Sequence, residues 1–359
     1  MATATAVKGS SAGVPAAPKH KKNALSDGQG RLAWMLLAPT LLVIIVVAGI
    51  PVLLSIRESF FTANSGVDPT TGLVAGGETF SGLKNFTNVF TGQDAVAGNF
   101  GSINRFWNAF LNTTFFTIVC VLLETVLGVI MALIMAKAFR GRGIVRAGIL
   151  VPWAIPTIVS ALMWKLIFDE SGVMNRILHQ QILWLADEGS SFWAIVIADV
   201  WKTAPFIALL TLAGLQTIPA ECYEAAKVDG ASTWQTFVRI TLPMVKPTLV
   251  VAVLFRTLDT LRMFDLPWGM IGPGKYHVET LSIFAYQEAV QNRYGPAAAY
   301  AIILFIYVLL VAFLFVKALG ADVIGDAAPG GKKQSRRERK RSERMNAETP
   351  ALEMMGGNH

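Results

Sequence analysis

Six long apolar runs, separated by polar segments, dominate the pattern of hydrophobic and polar positions along the chain. Each run is about the 20 residues that an α-helix needs to cross the hydrocarbon core of a bilayer. The pattern therefore predicts an all-α integral membrane protein with six transmembrane helices. Their predicted positions are about 32–56, 111–138, 144–168, 192–215, 248–268 and 297–319.

The two ends of the chain are polar. Residues 1–31 are rich in Ala, Gly, Pro, Ser and Lys, a composition that predicts a disordered tail, and residues 321–359 form a basic, solvated tail. The first apolar run is too long for the core of a signal peptide and ends in Ile56-Arg57-Glu58, without a small-residue cleavage site. We therefore expect it to remain as a membrane span.

Composition and charge support this topology. The chain is 53% hydrophobic and 15% charged, with a mean hydropathy of +0.50, which is unusual for a soluble domain. With six spans, both tails, the 139–146 turn and the 216–247 loop lie on one side of the membrane. These segments and the flanking Lys137 and Lys317 contain 21 of the 31 Lys and Arg residues. The positive-inside rule thus favours six spans over five and predicts both termini in the cytoplasm.

Metal and nucleotide chemistry find little support in the sequence. The two cysteines, Cys120 and Cys222, and the four histidines are scattered, so we predict no disulfide and no metal site. The segment from Gly269 to Gly274-Lys275 copies most of a phosphate-binding loop, but Tyr276 stands where Ser or Thr would hold magnesium, and no strand precedes it. We therefore predict no catalytic residues, no cofactor and no ATP hydrolysis in this chain.

The polar 216–247 loop has the pattern of two short helices. Residues 223–228 are good helix formers, Gly230 is a natural terminator, and Ser232 can cap a second helix over about 231–240 that Pro243 would stop. Two helices bent at a glycine make a knob that suits docking to a partner. An amphipathic loop lying on the bilayer surface is an equally good interpretation of the residues alone.

A resemblance separates these interpretations. The loop matches the E-A-A-x3-G-x9-I-x-L-P motif of ABC importer permeases at every fixed position: Glu224, Ala225, Ala226, Gly230, Ile240, Leu242 and Pro243. Similarity to the sugar-importer, maltose-permease-like branch extends over about 31–320 and includes 80–86, 151–156 and 218–221. Segments 255–265 and 294–322 are similar to the first permease subunit of actinobacterial trehalose importers. One departure, Ile271-Gly272-Pro273-Gly274 in place of Gly-Gly-Gly-Pro, affects the local loop shape.

The resemblance implies a type I ABC importer permease fold in a bacterial cytoplasmic membrane. The implied partners are a second permease subunit, two ATPase domains that bind ATP and Mg, an extracytoplasmic sugar-binding (lipo)protein, a sugar and the lipid bilayer; nucleic acid is not one. The implied substrate is trehalose or a related α-glucoside, and the alternatives are maltose, another oligosaccharide or glycerol phosphate. The implied ATPase-coupling residues are Glu224, Ala225, Ala226, Asp229, Gly230 and Pro243.

Four charged residues repeat every three positions in the fifth apolar run: Arg256, Asp259, Arg262 and Asp265. Opposite charges at i,i+3 can pair on a helix, and each charge facing lipid would cost roughly 2.5–3.5 kcal/mol, so they must face the bundle interior or an aqueous cavity. One interpretation is a sugar pathway, with Trp268 and Tyr286 stacking on the sugar ring. The other is an internal salt-bridge network, which we favour for Arg256 and Asp259.

Two other classes of protein remain as alternatives. A secondary transporter would show inverted repeats and half-helices near the membrane centre, and no such repeat is evident in the sequence. A membrane-embedded enzyme would need a nucleophile–base pair or a metal cluster, for which the sequence gives no candidate. Both alternatives also leave the 224–243 motif without a purpose.

Overall fold

The computed structural model describes residues 27–63, 77–92 and 104–317. The predicted tails at 1–31 and 321–359 lie outside these residues, except that the first helix already begins at Asp27. The chain divides into two compact units, residues 1–55 and 56–359. In the first unit, α1 (Asp27–Ile44), a π-helical turn (Ile45–Gly49) and the start of α2 (Ile50–Glu58) form the predicted first span.

In the second unit, the described residues form helices and one short antiparallel strand pair, β1 (Phe61–Ala63) with β2 (Glu78–Phe80), in which Phe61 lies opposite Phe80. Its helices before the knob are α3 (Lys84–Thr91), α4 (Arg105–Ala136), α5 (Arg142–Ala154), α6 (Thr157–Ile167), α7 (Val173–Leu178) and α8 (Glu188–Gln216). They are followed by α9 (Ala220–Val228), α10 (Thr233–Thr236), a π-helical turn (Phe237–Thr241), α11 (Leu242–Leu261), α12 (Asp265–Ile271), a 3-10 turn (Tyr276–Val278), α13 (Leu281–Val290) and α14 (Tyr294–Phe315).

Helices α4 and α8 form the centre of this bundle. They are in close contact at Gly128, where an added Cβ would lie 2.7 Å from a side-chain carbon of Ile207. A small residue at such a contact is the usual way in which membrane helices pack tightly. Exposed leucine, isoleucine, valine and phenylalanine side chains cover the outer faces of α4, α6, α11 and α14, as expected of helices that face lipid.

The third predicted span is broken. Helices α5 and α6 meet at Ile155 and Pro156 with a bend of 97°, so this segment crosses the membrane only if the bent pair acts as one span. Proline has no N–H to donate to the preceding turn, and the residue before it avoids helical geometry. Five further helices are long and apolar enough to span, so the described residues provide five spans, or six with the bent pair.

The fifth span differs from the sequence prediction at both ends. We expected separate helices at about 231–240 and 248–268, but one continuous helix runs from Thr233 to Leu261. The prediction that Pro243 stops the helix is therefore wrong. Pro243 lies in the first turn of α11, just after the wider π-helical turn. Such a turn changes the local hydrogen-bond ladder where the proline N–H is missing. The helix then ends at Leu261, and α12 starts anew at Asp265.

A buried ion pair fastens the segment after α12 to the start of α4. Arg105 Nε and Nη2 donate to the two carboxylate oxygens of Glu279 at 2.8 and 2.6 Å, and the guanidinium lies 4.6 Å from the ring centroids of Tyr276 and Phe284. Burial raises the pKa of the Glu279 carboxyl, although Arg105 acts in the opposite direction. The expected loop at 269–296 is thus largely ordered helix packed on the bundle.

Candidate solute cavity and docking knob

A polar cavity of about 620 Å³ lies between the broken third span, α8 and the end of α11. All four charged residues singled out in the fifth run line it, together with polar residues from the other two elements. The full lining consists of Trp153, Ala154, Ile155, Pro156, Thr157, Asp199, Lys202, Thr203, Arg256, Asp259, Arg262, Met263, Phe264, Asp265 and Leu266. The expectation that these charges face an aqueous cavity rather than lipid agrees with this geometry.

Arg256 is the centre of the charge network behind the cavity wall. Its Nε donates to Glu124 Oε2 at 2.5 Å, its Nη1 donates to Asp259 Oδ2 at 2.7 Å, and its Nη2 donates to both Glu124 Oε1, at 3.0 Å, and Asp199. The Thr203 hydroxyl donates to Glu124 Oε1 at 2.7 Å. One guanidinium thus joins α4, α8 and α11 through charge-assisted hydrogen bonds.

The charges become more exposed away from this centre. The Arg256 side chain is 4% exposed and its partner Asp259 is 56% exposed, while Arg262, 3.4 Å from Asp259, is 71% exposed. Arg256 belongs to an internal ion-pair network, as expected. Asp259, which was assigned to the same network, pairs with Arg256 but is also exposed at the cavity, where Arg262 and Asp265 lie as well. A role of these side chains in a sugar pathway stays a prediction.

Lys202 connects α8 to the break in the third span. Its Nζ donates to the Ile155 carbonyl at 2.5 Å, at the point where Pro156 interrupts the helical hydrogen bonds. A carbonyl freed inside the membrane needs a donor from elsewhere in the protein. Lys202 supplies that donor, so it stabilises the bend that forms one wall of the cavity.

The predicted aromatic residues lie elsewhere. Trp268 stacks on Phe264, with ring centroids 5.5 Å apart, and Tyr286 meets both rings edge-on. Neither Trp268 nor Tyr286 is among the residues that line the cavity, whose aromatic members are Trp153 and Phe264. Trp268 and Tyr286 thus pack against Phe264, which lines the cavity. Their direct contact with a sugar stays a prediction.

Sequence reasoning missed three residues of this site: Glu124, Asp199 and Lys202. Glu124 is alone in its apolar run, and Asp199 and Lys202 share the next long one. Ionisable residues in such runs mark functional positions in membranes, but the proximity of these three required the fold. Ligand atoms of Cys120, Glu124 and Asp199 lie within 4.8 Å of one another. The Arg256 guanidinium pairs with both carboxylates, so ion pairing accounts for this cluster.

The 220–241 segment forms the predicted knob. Gly230 has φ +70°, and hydrogen bonds from Gly230 N to Lys227 O (3.2 Å) and from Ala231 N to Ala226 O (2.9 Å) close the end of α9 as a Schellman motif. Ser232 caps α10 in a reciprocal capping box with Gln235, as its position in the sequence predicted.

The knob exposes its motif residues. Glu224, Ala225, Asp229, Gly230 and Pro243 are exposed, and Ala226 is buried. Two apolar side chains beside them are also exposed, Val228 by 88% and Trp234 by 71%. The Tyr223 hydroxyl lies 3.3 Å from Thr241 Oγ1 and braces the two arms of the knob. Rigid exposed groups of this kind suit a protein interface.

These features define a class: a multi-pass helical membrane protein with a polar cavity inside the bundle and a projecting knob at one end. The chain belongs to the family of binding-protein-dependent transport system inner membrane components, whose profile matches residues 124–324. It is therefore a permease of the ABC importer type in the inner membrane, as its resemblance to that family implied.

Two relatives align over most of their length. The trehalose/maltose transport system permease protein MalF of Thermococcus litoralis is 38% identical over 295 residues, covering 80% of this chain and 94% of that protein. The trehalose transport system permease protein SugA of Mycobacterium tuberculosis is 35% identical over 309 residues, covering 85% of this chain and 92% of that protein.

A solved structure confirms the fold. A chain of a bacterial ABC transporter involved in import of the acidic polysaccharide alginate superposes with a TM-score of 0.68 at 22% identity, covering 82% of this chain and 96% of that chain. The predicted all-α permease fold is confirmed by this match. At that identity the likeness concerns the fold and leaves the transported solute to be argued separately.

Proposed function

We propose that this chain is a translocation subunit of an ATP-driven importer for trehalose or a related α-glucoside disaccharide. The observation that carries the proposal is the polar cavity of about 620 Å³ inside the bundle, a size that suits a small polar ligand. Its Asp, Lys and Arg side chains offer charge-assisted hydrogen bonds to hydroxyl groups, and Trp153 and Phe264 offer apolar surface to a sugar ring. The names of the two aligned relatives favour trehalose among sugars.

The energy would come from a separate ATPase that docks on the knob. The exposed Val228 and Trp234 beside the motif residues provide apolar anchors for a groove on that partner. Glu224, Ala225, Ala226, Asp229, Gly230 and Pro243 are the proposed coupling residues. The same proposal includes a second permease subunit and an extracytoplasmic sugar-binding protein, and it places ATP and Mg in the ATPase and no cofactor in this chain.

Uptake by living cells tests the substrate. Deletion of the gene should abolish uptake of radiolabelled trehalose, and a plasmid copy of the full chain should restore it. Uptake of maltose, of another oligosaccharide and of glycerol phosphate, measured in the same strains, covers the alternative substrates. Trehalose uptake that persists in the deletion strain while another solute's uptake is lost would contradict the substrate assignment.

A further inference from the structure

The charges around the cavity are almost balanced. Three basic residues, Lys202, Arg256 and Arg262, and three acidic residues, Asp199, Asp259 and Asp265, line it. Glu124 adds a fourth carboxylate directly behind the wall, bonded to Arg256 through both oxygens. Both oxygens of Glu124 accept hydrogen bonds, from Arg256 and Thr203, as those of an ionised carboxylate do, and in that form this set of seven groups carries one net negative charge.

Glu124 acts on the cavity without touching it. Its side chain is fully buried in α4 and does not line the cavity, yet it takes two of the hydrogen bonds of the Arg256 guanidinium. That guanidinium therefore offers little uncompensated positive charge to a solute. Glu124 and Arg256 are themselves buried, where the Coulomb interaction is several times stronger than in bulk solvent, so removing the Glu124 charge would leave the guanidinium uncompensated.

We propose that Glu124 is a specificity-determining residue that keeps the cavity selective for uncharged sugars and against anionic ones. This inference rests on the proposed function, because it assigns a charge class to the solute of the same cavity. An uncharged sugar exchanges hydrogen bonds with the paired charges. A carboxylate-bearing sugar of the same size meets a wall in which carboxylates outnumber cations by one, and the Arg256 guanidinium is already held by Glu124.

The test compares two ligands that differ in charge alone. One is trehalose, and the other is trehalose with one hydroxymethyl group oxidised to a carboxylate. Equilibrium binding of each radiolabelled sugar is measured on the purified importer complex without its extracytoplasmic binding protein, so that the permease itself makes the selection. The readout is the ratio of the two Kd values.

The Glu124→Gln variant keeps the shape of the side chain and removes its charge. We expect the preference for trehalose over its uronic acid to fall about tenfold, which corresponds to about 1.4 kcal/mol. The Glu124→Asp variant keeps the charge and should keep the preference. A purely structural role for Glu124 would weaken the binding of both sugars alike and leave the ratio unchanged.

The chain offers a matched control in Glu279. It is also a buried glutamate that accepts two hydrogen bonds from one buried arginine, Arg105, but it does not line the cavity or contact the Arg256 network. The Glu279→Gln variant removes the same charge from the same kind of ion pair. Its Kd ratio should equal that of the wild type.

The outcomes separate the inference from the proposed function. If the wild-type complex binds neither sugar, the inference fails, while uptake of trehalose by the deletion and complemented strains still decides the proposed function. If the wild type binds trehalose but Glu124→Gln leaves the ratio unchanged, the inference alone is overturned. Should Glu124→Gln not accumulate in the membrane, the Asp199→Asn variant removes one charge from the cavity side, and an unchanged ratio there overturns the inference equally.

Discussion

Glu124 is a single carboxylate in the 32-residue helix α4, and its surroundings show what the sequence could not reveal. The repeat from Arg256 to Asp265 is visible in the sequence because its members are neighbours on one helix. Glu124 and Asp199 lie 132 and 57 residues from Arg256, so only the packing of α4, α8 and α11 brings them together. The residues that were predicted are close in sequence, and the residues that were missed are brought to the site by tertiary contacts.

His277, in the 3-10 turn that packs against the start of α8, gives a second prediction at the scale of single residues. Its Nε2 lies 2.9 Å from the Ser191 hydroxyl, and burial lowers the pKa of the imidazole. The unfolded chain then binds the proton more readily than the folded protein, so stability should fall as the pH drops below about 6.5.

Thermal unfolding of the detergent-solubilised protein at pH 7.5 and pH 5.5 measures this effect. The drop in Tm between the two pH values should be smaller in a His277→Gln variant than in the wild type, because the variant has no imidazole to protonate. Equal drops in the two proteins would show that His277 does not contribute to the acid sensitivity.

At the scale of single elements, the helix ends that depend on neighbouring residues in the sequence could be predicted. The positive φ of Gly230 and the cap at Ser232 followed from residue type and spacing. The end of the fifth helix at Leu261 could not be predicted in this way, because the segment 255–265 contains polar residues both before and after Leu261 and so carries no signal for a helix end there. The break in the third span was signalled by Pro156, but the 97° bend and the hydrogen bond from Lys202 to the Ile155 carbonyl are visible only in the structure.

Gly230 supplies the prediction for the knob. A valine at φ +70° would strain the backbone by about 1–3 kcal/mol, whereas asparagine tolerates the left-handed conformation. No residue that the structure describes lies within 4 Å of an added Cβ, so the backbone conformation, and not crowding among these residues, separates the two variants.

We expect Gly230→Val to reduce both the amount of ATPase that copurifies with the permease and trehalose uptake, each by roughly tenfold, which corresponds to about 1.4 kcal/mol. Gly230→Asn is the matched control and should retain most of both, with equal amounts of the permease in the membrane for each variant. Normal copurification of the ATPase with Gly230→Val would contradict the docking role of the knob.

At the scale of the whole molecule, the number of crossings depends on one element. The bent pair α5 and α6 counts either as a sixth span or as a re-entrant loop. The charge distribution predicts six crossings, with the knob on the cytoplasmic side. A bilayer imposes the length of apolar runs, so the hydropathy pattern indicates where helices lie, but it predicted the fifth span at 248–268 where the helix runs from Thr233 to Leu261. A pattern of apolar residues also does not contain the direction of a bend.

The native cysteines allow a direct test of this topology. Cys222 lies in α9 of the knob and is partly exposed, whereas Cys120 is buried, so Cys222 is the thiol expected to react. A membrane-impermeant maleimide should label it in inside-out vesicles and not in intact cells. A Ser171→Cys variant, placed in the exposed segment after α6, should show the opposite behaviour. Labelling of Cys222 in intact cells would reverse the predicted orientation.

The uninterrupted helix from Thr233 to Leu261 has a mechanical consequence. Arg256 lies 23 residues beyond the start of that helix at Thr233, a distance of roughly 35 Å along its axis. The second arm of the knob and the part of the cavity wall at Arg256 therefore lie at opposite ends of the same helix. A tilt of about 10° at the knob would displace Arg256 by about 6 Å, at 1.5 Å rise per residue. Arg256 also bonds Glu124 of α4 and Asp199 of α8, so such a displacement would either break these hydrogen bonds or move the two neighbouring helices. A movement of the knob would therefore change the shape of the cavity.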